Sequence, residues 1–234
     1  MKIFIATKNH KKLCELERIL IPMGFEVLSQ KDFSDNFPEP IENGTTFEEN
    51  AIIKAKSGLL QTGYISVADD SGICVDYLNG APGIYSARYS GGTDDDNNKK
   101  ILKELDGVPM EKRTAYYVAA IACVLPDGTE FVVRGTVFGS LLREPIGEGG
   151  FGYDPVFYVP QEGYTFAEMP QDRKNEISHR GAAMVKFCAE LKKQGKTKGF
   201  IYTCRQTEGQ FHNNAYKTPN PAQIIACEKL EDLL

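Results

Sequence analysis

The sequence predicts an α/β fold, and three observations carry that expectation. The opening "KIFIAT" places Ile3 and Ile5 in alternation, as a buried strand requires, and leads into a segment with Leu13, Leu16 and Leu20 on one helical face. "TTFEENAIIKAKSGLL" reads as a second helix: Thr46 and Glu49 have capping-box spacing, and Phe47, Ala51, Ala55 and Leu59 repeat at helical intervals. It is followed by a strand-like "YISVADD" that ends on two adjacent acids, Asp69 and Asp70. Further on, "TAYYVAAIACVLPDGTEFVVRGTVFG" reads as two long strands joined by a turn at Pro126-Asp127-Gly128.

The remaining elements follow in order. "DDDNNKKILKEL" has acids first and lysines after, as the helix dipole favours, so Asp94 to Asp96 read as a solvated helix start and not a metal site. "ISHRGAAMVKFCAELKKQG" is a helix with Ser178 as cap and Gly195 as stop. Between Lys196 and Leu234, Asn220-Pro221 starts a terminal helix with Ile224, Ile225, Leu230 and Leu233 as its apolar residues, expected to pack on the core. The division drawn is a 1–195 domain and a 196–234 extension.

Composition narrows the function. At 234 residues the chain can bury a sizeable core, and 41% hydrophobic with 25% charged residues is ordinary globular usage. The formal net charge of -5 lacks the basic excess of a non-specific nucleic-acid binder, so an anionic ligand needs a local basic site. No stretch approaches the roughly 20 apolar residues of a membrane span, and the N-terminal apolar run is too short for a secretory signal, which points to the cytoplasm. Six scattered cysteines without a C-x-x-C pair indicate reduced, mostly buried thiols.

Two tempting motifs fail on context. Gly147-x-Gly149-x-x-Gly152 fits the dinucleotide fingerprint, but "REPI" precedes it and Pro155 forbids a regular helix after it. "GKT" at 195–197 lacks the first P-loop glycine. What remains is a set of opposite charges around predicted strand ends: Lys8, Lys11 and Lys12, then Glu42 and Lys54, then Asp69-Asp70. A polyphosphate with magnesium would unite them, lysines holding phosphate and carboxylates the metal. Singly, each has a blander reading as a solvated lysine, a turn or a cap.

Longer strings add a resemblance. "ADDSGICVDYLNGAPGIYSARYSG", "GEGGFGYDPVF" and "KNEISHRGAA", with "TFEENAIIKA", closely resemble the signatures of the inosine triphosphate pyrophosphatase family, from about Met1 to about Leu191. The resemblance implies a long mixed central sheet flanked by helices, two lobes around a deep cleft and a homodimer. It also implies a magnesium-dependent reaction splitting non-standard purine nucleoside triphosphates (ITP, dITP, XTP) into monophosphate and pyrophosphate. Carried over residue by residue, Asp70 resembles the base that deprotonates water and a metal ligand, Glu42 its partner ligand, and Asp69 a neighbour at the metal. Lys12 and Lys54 resemble the phosphate lysines, with Thr7, Lys8, Asn9 and Ser71 as further contacts. At the base end the resemblance implicates Phe151, Gly152, Tyr153 and Asp154 of "FGYD", with Phe151 stacking, and Lys174, Ser178, His179 and Arg180, where donors face a 6-oxo purine. The first loop departs from the pattern, with Lys8 and Lys11 where many relatives have glycine, which leaves open whether Lys11 or Lys12 meets phosphate. Two other classes compete: a pyrophosphatase for modified pyrimidine nucleotides, disfavoured by "SHR" and "FGYD", and a sensor without turnover, disfavoured by the intact acids and lysines.

Overall fold

The computed structural model describes residues 1–33 and 37–195. The expected terminal helix, Cys204, Cys227 and the 196–234 extension lie outside the described residues, as does all of "GKT" beyond Gly195.

Strand β1 (Lys2–Ile5) leads into helix α1 (His10–Leu20), which buries Leu13, Leu16 and Leu20 as their spacing predicts. After β2 (Glu26–Leu28), helix α2 (Phe47–Thr62) begins at Thr46, whose side chain accepts from the Glu49 amide. The capping box closes one residue early: the Glu49 carboxylate takes the Thr45 amide at 2.6 Å instead of that of Thr46. Strand β3 (Ile65–Val75) is followed by α3 (Asp94–Glu104), where Thr93 and Asp96 form a full capping box, so the acid run is a helix start as expected. The long hairpin β4 (Thr114–Val124) and β5 (Glu130–Leu141) comes next, then β6 (Phe157–Val159), β7 (Tyr164–Thr165), α4 (Gln171–Ile177) and α5 (His179–Lys193), with Ser178 capping α5 and Gly195 in the left-handed region after it. Gly147, Gly149 and Gly152 lie in the β5–β6 loop with no helix after them, which agrees with refusing the dinucleotide reading.

The seven strands form one mixed sheet in the order β2-β1-β3-β4-β5-β6-β7, parallel for β2, β1 and β3 and antiparallel thereafter. Alternation along β3 and β4 sends side chains to two faces. Val67, Ala119, Ile121 and Cys123 pack with α1 and α5, while Ala68, Ala120, Ala122 and Val124 pack with Phe47, Ala51 and Ala55 of α2. Farther along the first face a second core collects Ile73, Tyr117, Ile101, Phe157 and Phe166.

One correction concerns β3. The sequence suggests a strand ending at Asp69-Asp70, but β3 continues through both acids to Val75 and stays paired with β4 throughout, Asp69 opposite Ile121 and Asp70 opposite Ala120. On the other edge, β1 pairs only as far as Val67. A 3-10 helix, Gly83–Arg88, takes over farther on, with the Ser86 hydroxyl accepting the Ile73 amide at 2.9 Å. Ala68 to Ser71 therefore lie on an edge with a strand neighbour on one side only, in a polar break between the two cores.

Helix α5 is seated on β5 through Gly135. A Cβ there would stand 2.0 Å from the His179 carbonyl oxygen and 2.4 Å from the Ala183 amide nitrogen, both backbone atoms that cannot swing aside. Gly135→Ala is expected to lower stability by about 1–3 kcal/mol, read by chemical denaturation; an unchanged denaturation midpoint would mean that α5 shifts without cost.

Candidate active site

The pleat separates the two acids. Asp69 points to the α1/α5 face, where its Oδ2 meets Lys12 Nζ at 3.0 Å and Arg180 NH2 at 3.1 Å, and its side chain is fully buried. Arg180 also donates to Ser71 Oγ at 3.0 Å and Glu15 Oε2 at 2.6 Å. Asp70 points to the α2 face, where its Oδ1 receives Lys54 Nζ at 2.7 Å. The same ammonium lies 3.7 Å from Glu42. Adjacent carboxylates thus lessen their mutual repulsion by facing opposite sides of the sheet, each paired with its own cations. Asp69, expected as a neighbour at the metal, is instead turned to Lys12 and Arg180.

The two environments push the acids apart in pKa. Burial alone would raise Asp69, but Lys12 and Arg180 outweigh it and hold the carboxyl well below its usual range. For Asp70 burial wins over the pull of Lys54, and its pKa is raised. Divergent environments for two carboxylates are how acid and base roles are assigned at one pH. Asp70 Oδ2 is buried with no hydrogen-bond partner, an atom placed to accept a proton or bind a cation.

Among the described residues no group of three or more His, Cys, Asp or Glu is gathered for a metal. Glu42 and Asp70 are two carboxylates that approach the same Lys54 ammonium, at 3.7 and 2.7 Å. That donor set suits a hard ion that keeps waters and takes phosphate oxygens, and magnesium is such an ion. Glu42 also lines an open pocket of about 600 Å³ with Thr46, Gly83 and Arg88.

The first loop is built around the start of α1. Asn9 Oδ1 accepts the Lys11 and Lys12 amides at 3.0 and 3.2 Å, and Thr7 Oγ1 accepts the Asn9 amide at 3.2 Å. Burial lowers the pKa of Lys12, with Asp69 opposing. Lys8 is not brought to the acids; it pairs with Glu39 at 3.1 Å on an exposed surface. Lys11 reaches the other end of the site, donating to the Gly150 carbonyl at 2.9 Å with its ammonium 5.1 Å from the Phe151 ring centre. Of the two lysines left open by the sequence, Lys12 stands against Asp69 and Lys11 against the Phe151 turn.

At that other end, Lys174 is buried against Asp154 and stands 4.9 Å over Phe151. Asp154 also accepts the Phe151 amide at 2.7 Å, so Phe151 is fixed on a tight turn. His179 is buried and stacks on Tyr117, with ring centres 4.7 Å apart and planes 9° apart. Burial, reinforced by Arg180, keeps its pKa well below the ordinary histidine value, so the ring is neutral. Its Nδ1 has no partner. Ser178 accepts the Gly181 amide at 3.1 Å, the bland capping role. Tyr153 is buried, its hydroxyl donating to the Ser86 carbonyl at 2.9 Å, and Gly152 sits at φ 62. Arg180 lies among Asp69, Ser71 and Glu15 instead of over Phe151.

Sequence reasoning missed Glu15, the second anchor of Arg180 from 165 positions away, and Asp94 and Asn98, which hold the Phe151 turn. Only Asp94 carried a signal, and its helix-start reading concealed the contact.

The model of the Ham1 family matches residues 3–190. The chain belongs to the Ham1 family. Among curated relatives, a dITP/XTP pyrophosphatase of Geobacter sulfurreducens is 47% identical over 196 residues, covering 83% of this chain and 98% of the relative. One of Desulforamulus reducens is 49% identical over 188 residues, covering 80% and 93%. Among solved structures, the Ham1 protein of Staphylococcus aureus superposes with a TM-score of 0.76 at 37% identity, covering 83% of this chain and all of that one. A nucleoside-triphosphatase described as a dITP/XTP pyrophosphatase from Mycobacterium abscessus gives 0.68 at 44%, with coverages of 82% and 100%. The Ham1 likeness spans β1 through most of α5, so it includes both ends of the candidate site.

Proposed function

We propose that the protein hydrolyses non-standard purine nucleoside triphosphates, ITP, dITP and XTP, to the monophosphate and pyrophosphate. The carrying observation is Asp70: a buried carboxylate of raised pKa with one oxygen unpartnered, on an open strand edge beside Lys54 and within reach of the Lys12 cluster. The names of its Ham1 relatives supply the substrate class.

Asp70 accepts the proton of the attacking water, for which a raised pKa is suited. Lys12 and Lys54 offset charge gathering on the α-phosphate and the departing pyrophosphate, with Thr7, Asn9 and Ser71 completing the phosphate end. Glu42 and Asp70 would hold Mg2+, which when bound neutralises phosphate charge; Asp69 serves as the counter-ion that fixes Lys12 and Arg180. Phe151 stacks on the purine, and Lys174 and His179 supply donors that suit a 6-oxo group and clash with the adenine amino group, with Arg180 able to join them only by leaving part of its Asp69, Ser71 and Glu15 cluster. Donors left unpaired against adenine cost about 1–3 kcal/mol each. The active form is a cytoplasmic homodimer acting on a small-molecule nucleotide. No helix among the described residues is long and apolar enough to cross a membrane.

With magnesium, the protein is expected to convert inosine triphosphate into monophosphate and pyrophosphate, followed by separate phosphate and pyrophosphate assays. Orthophosphate as the first product would overturn attack at the α-phosphorus.

A further inference from the structure

The Phe151 turn is gripped by a helix that carries none of the residues around Asp69 and Asp70. Helix α3 presents Asp94 and Asn98 one turn apart, on one face. Asp94 Oδ2 accepts the Gly152 amide at 2.8 Å, and Asn98 Nδ2 donates to the Gly152 carbonyl at 2.9 Å. Both polar groups of one residue are thus taken by a single helix face. Gly152 holds φ 62, a conformation that glycine adopts freely and side-chain-bearing residues seldom do, so the grip selects one of several geometries open to this residue. The start of α3 is itself anchored: Thr93 and Asp96 close its capping box, Asn97 accepts the Ser90 amide at 2.7 Å, and Ile101 and Leu105 are fully buried.

We infer that Asp94 and Asn98 are positioning residues for base recognition, setting the height and tilt of Phe151 by clamping the peptide groups of Gly152. The inference rests on the reading that Phe151 stacks on the purine. Chemistry assigns the roles. A carbonyl can be met only by a donor, so the Asn98 amide nitrogen faces Gly152, and an amide N–H needs an acceptor, which either Asp or Asn supplies at position 94. From the other side Asp154 takes the Phe151 amide, and Lys11 holds the Gly150 carbonyl. With the α3 clamp released, the turn keeps its internal bonds and the burial of Tyr153 in the second core, but Gly152 loses both side-chain partners and Phe151 is no longer presented at one angle.

The test is steady-state kinetics on inosine triphosphate and ATP with four variants of the full chain. Asp94→Ala and Asn98→Asp are expected to raise KM for inosine triphosphate about fivefold or more, with kcat within about twofold, and to shrink the preference over ATP. Asp94→Asn, which keeps the acceptor, is expected to behave as the unmodified protein. Phe151→Ala checks the underlying reading: if it leaves KM for inosine triphosphate unchanged, base stacking on Phe151 fails, whereas an effect there with none in Asn98→Asp overturns the clamp alone. Equal losses on both nucleotides, or Asp94→Asn as impaired as Asp94→Ala, would likewise overturn it. Should Asp94→Ala lose cooperative melting, the contrast between Asp94→Asn and Asn98→Asp decides. The chain has no tryptophan, so Phe151→Trp adds its only indole, which can be excited apart from the tyrosines. Its quenching by inosine monophosphate should require several-fold more ligand once Asn98→Asp is added, and unchanged titration would also count against the clamp.

Discussion

Asp70→Asn is expected to lower turnover of inosine triphosphate by about 10²- to 10⁴-fold, the usual contribution of a general base, while the melting temperature holds or rises. The two halves share one cause. A carboxyl whose folded pKa lies above its unfolded value opposes folding at every pH above that range, because its ionised form is the less favoured in the fold. Asp70 is such a group, raised by burial in spite of Lys54. Asparagine fills the same space and still offers an oxygen to Lys54, so the ionisation penalty goes while Glu42 remains near the ammonium. Pyrophosphate release and a thermal melt without added metal, run on the same preparation, check both halves. Near-normal turnover would remove Asp70 from the chemistry, and a large drop in melting temperature would show that its charge supports the fold.

Arg180→Ala is expected to cost stability on the order of 3–5 kcal/mol, the penalty for breaking a buried ion pair from one side. The guanidinium touches Asp69 through both Nε and NH2, Ser71 through NH2 and Glu15 through NH1. Its removal leaves a fully buried carboxylate with Lys12 as its one paired cation and a long 3.4 Å contact from the Ser71 hydroxyl, and breaks the ion pair that links α5 to Glu15 of α1. Denaturant titration measures the loss, and a change within about 0.5 kcal/mol would mean that Lys12 suffices for Asp69. Kinetics then separate two uses of the side chain. As a donor to the 6-oxo group, Arg180 carries part of the preference for inosine triphosphate over ATP, and that ratio should shrink about tenfold, as one charged hydrogen bond allows. A uniform loss on both nucleotides would leave it only the work of holding Asp69.

Where apolar spacing was regular, the sequence showed the fold. Leu13, Leu16 and Leu20 gave α1, Thr46 and the alanines gave α2, and the hairpin turn at Pro126-Asp127-Gly128 gave β4 and β5. Short elements were not legible: β2, β6 and β7 span three, three and two residues, too few to show any period. The course of β3 was misread for a physical reason. Two charges normally mark an exit from the core, yet here each is buried against a cation carried by a distant helix. The alternation of Val67, Ile73 and Val75 across the acids was the available signal. Arg113 was invisible in the same way: it is fully buried because three backbone carbonyls, of Leu105, Leu141 and Leu142, accept its donors. In the candidate site, motif-bearing residues could be found from their strings, but Glu15, Asp94 and Asn98 act through contacts made across 165, 58 and 54 positions, which no local pattern encodes.

Asp69 and Asp70 differ in role only by parity. Which carboxylate meets Lys54 and which meets Lys12 depends on whether each sits at an odd or even step along β3, and a one-step slip exchanges every side chain between the faces. Losing one residue between Ile65 and Ala68 would turn Asp70 to the face of Lys12 and Arg180, move Asp69 to the α2 face short of Lys54, and leave Ser71 in the place Asp70 now holds. A loss of two would restore the facing but draw the acids along β4, away from Ala120 and Ile121. Among descendants of this chain, then, β3 can change letters far more readily than it can change length.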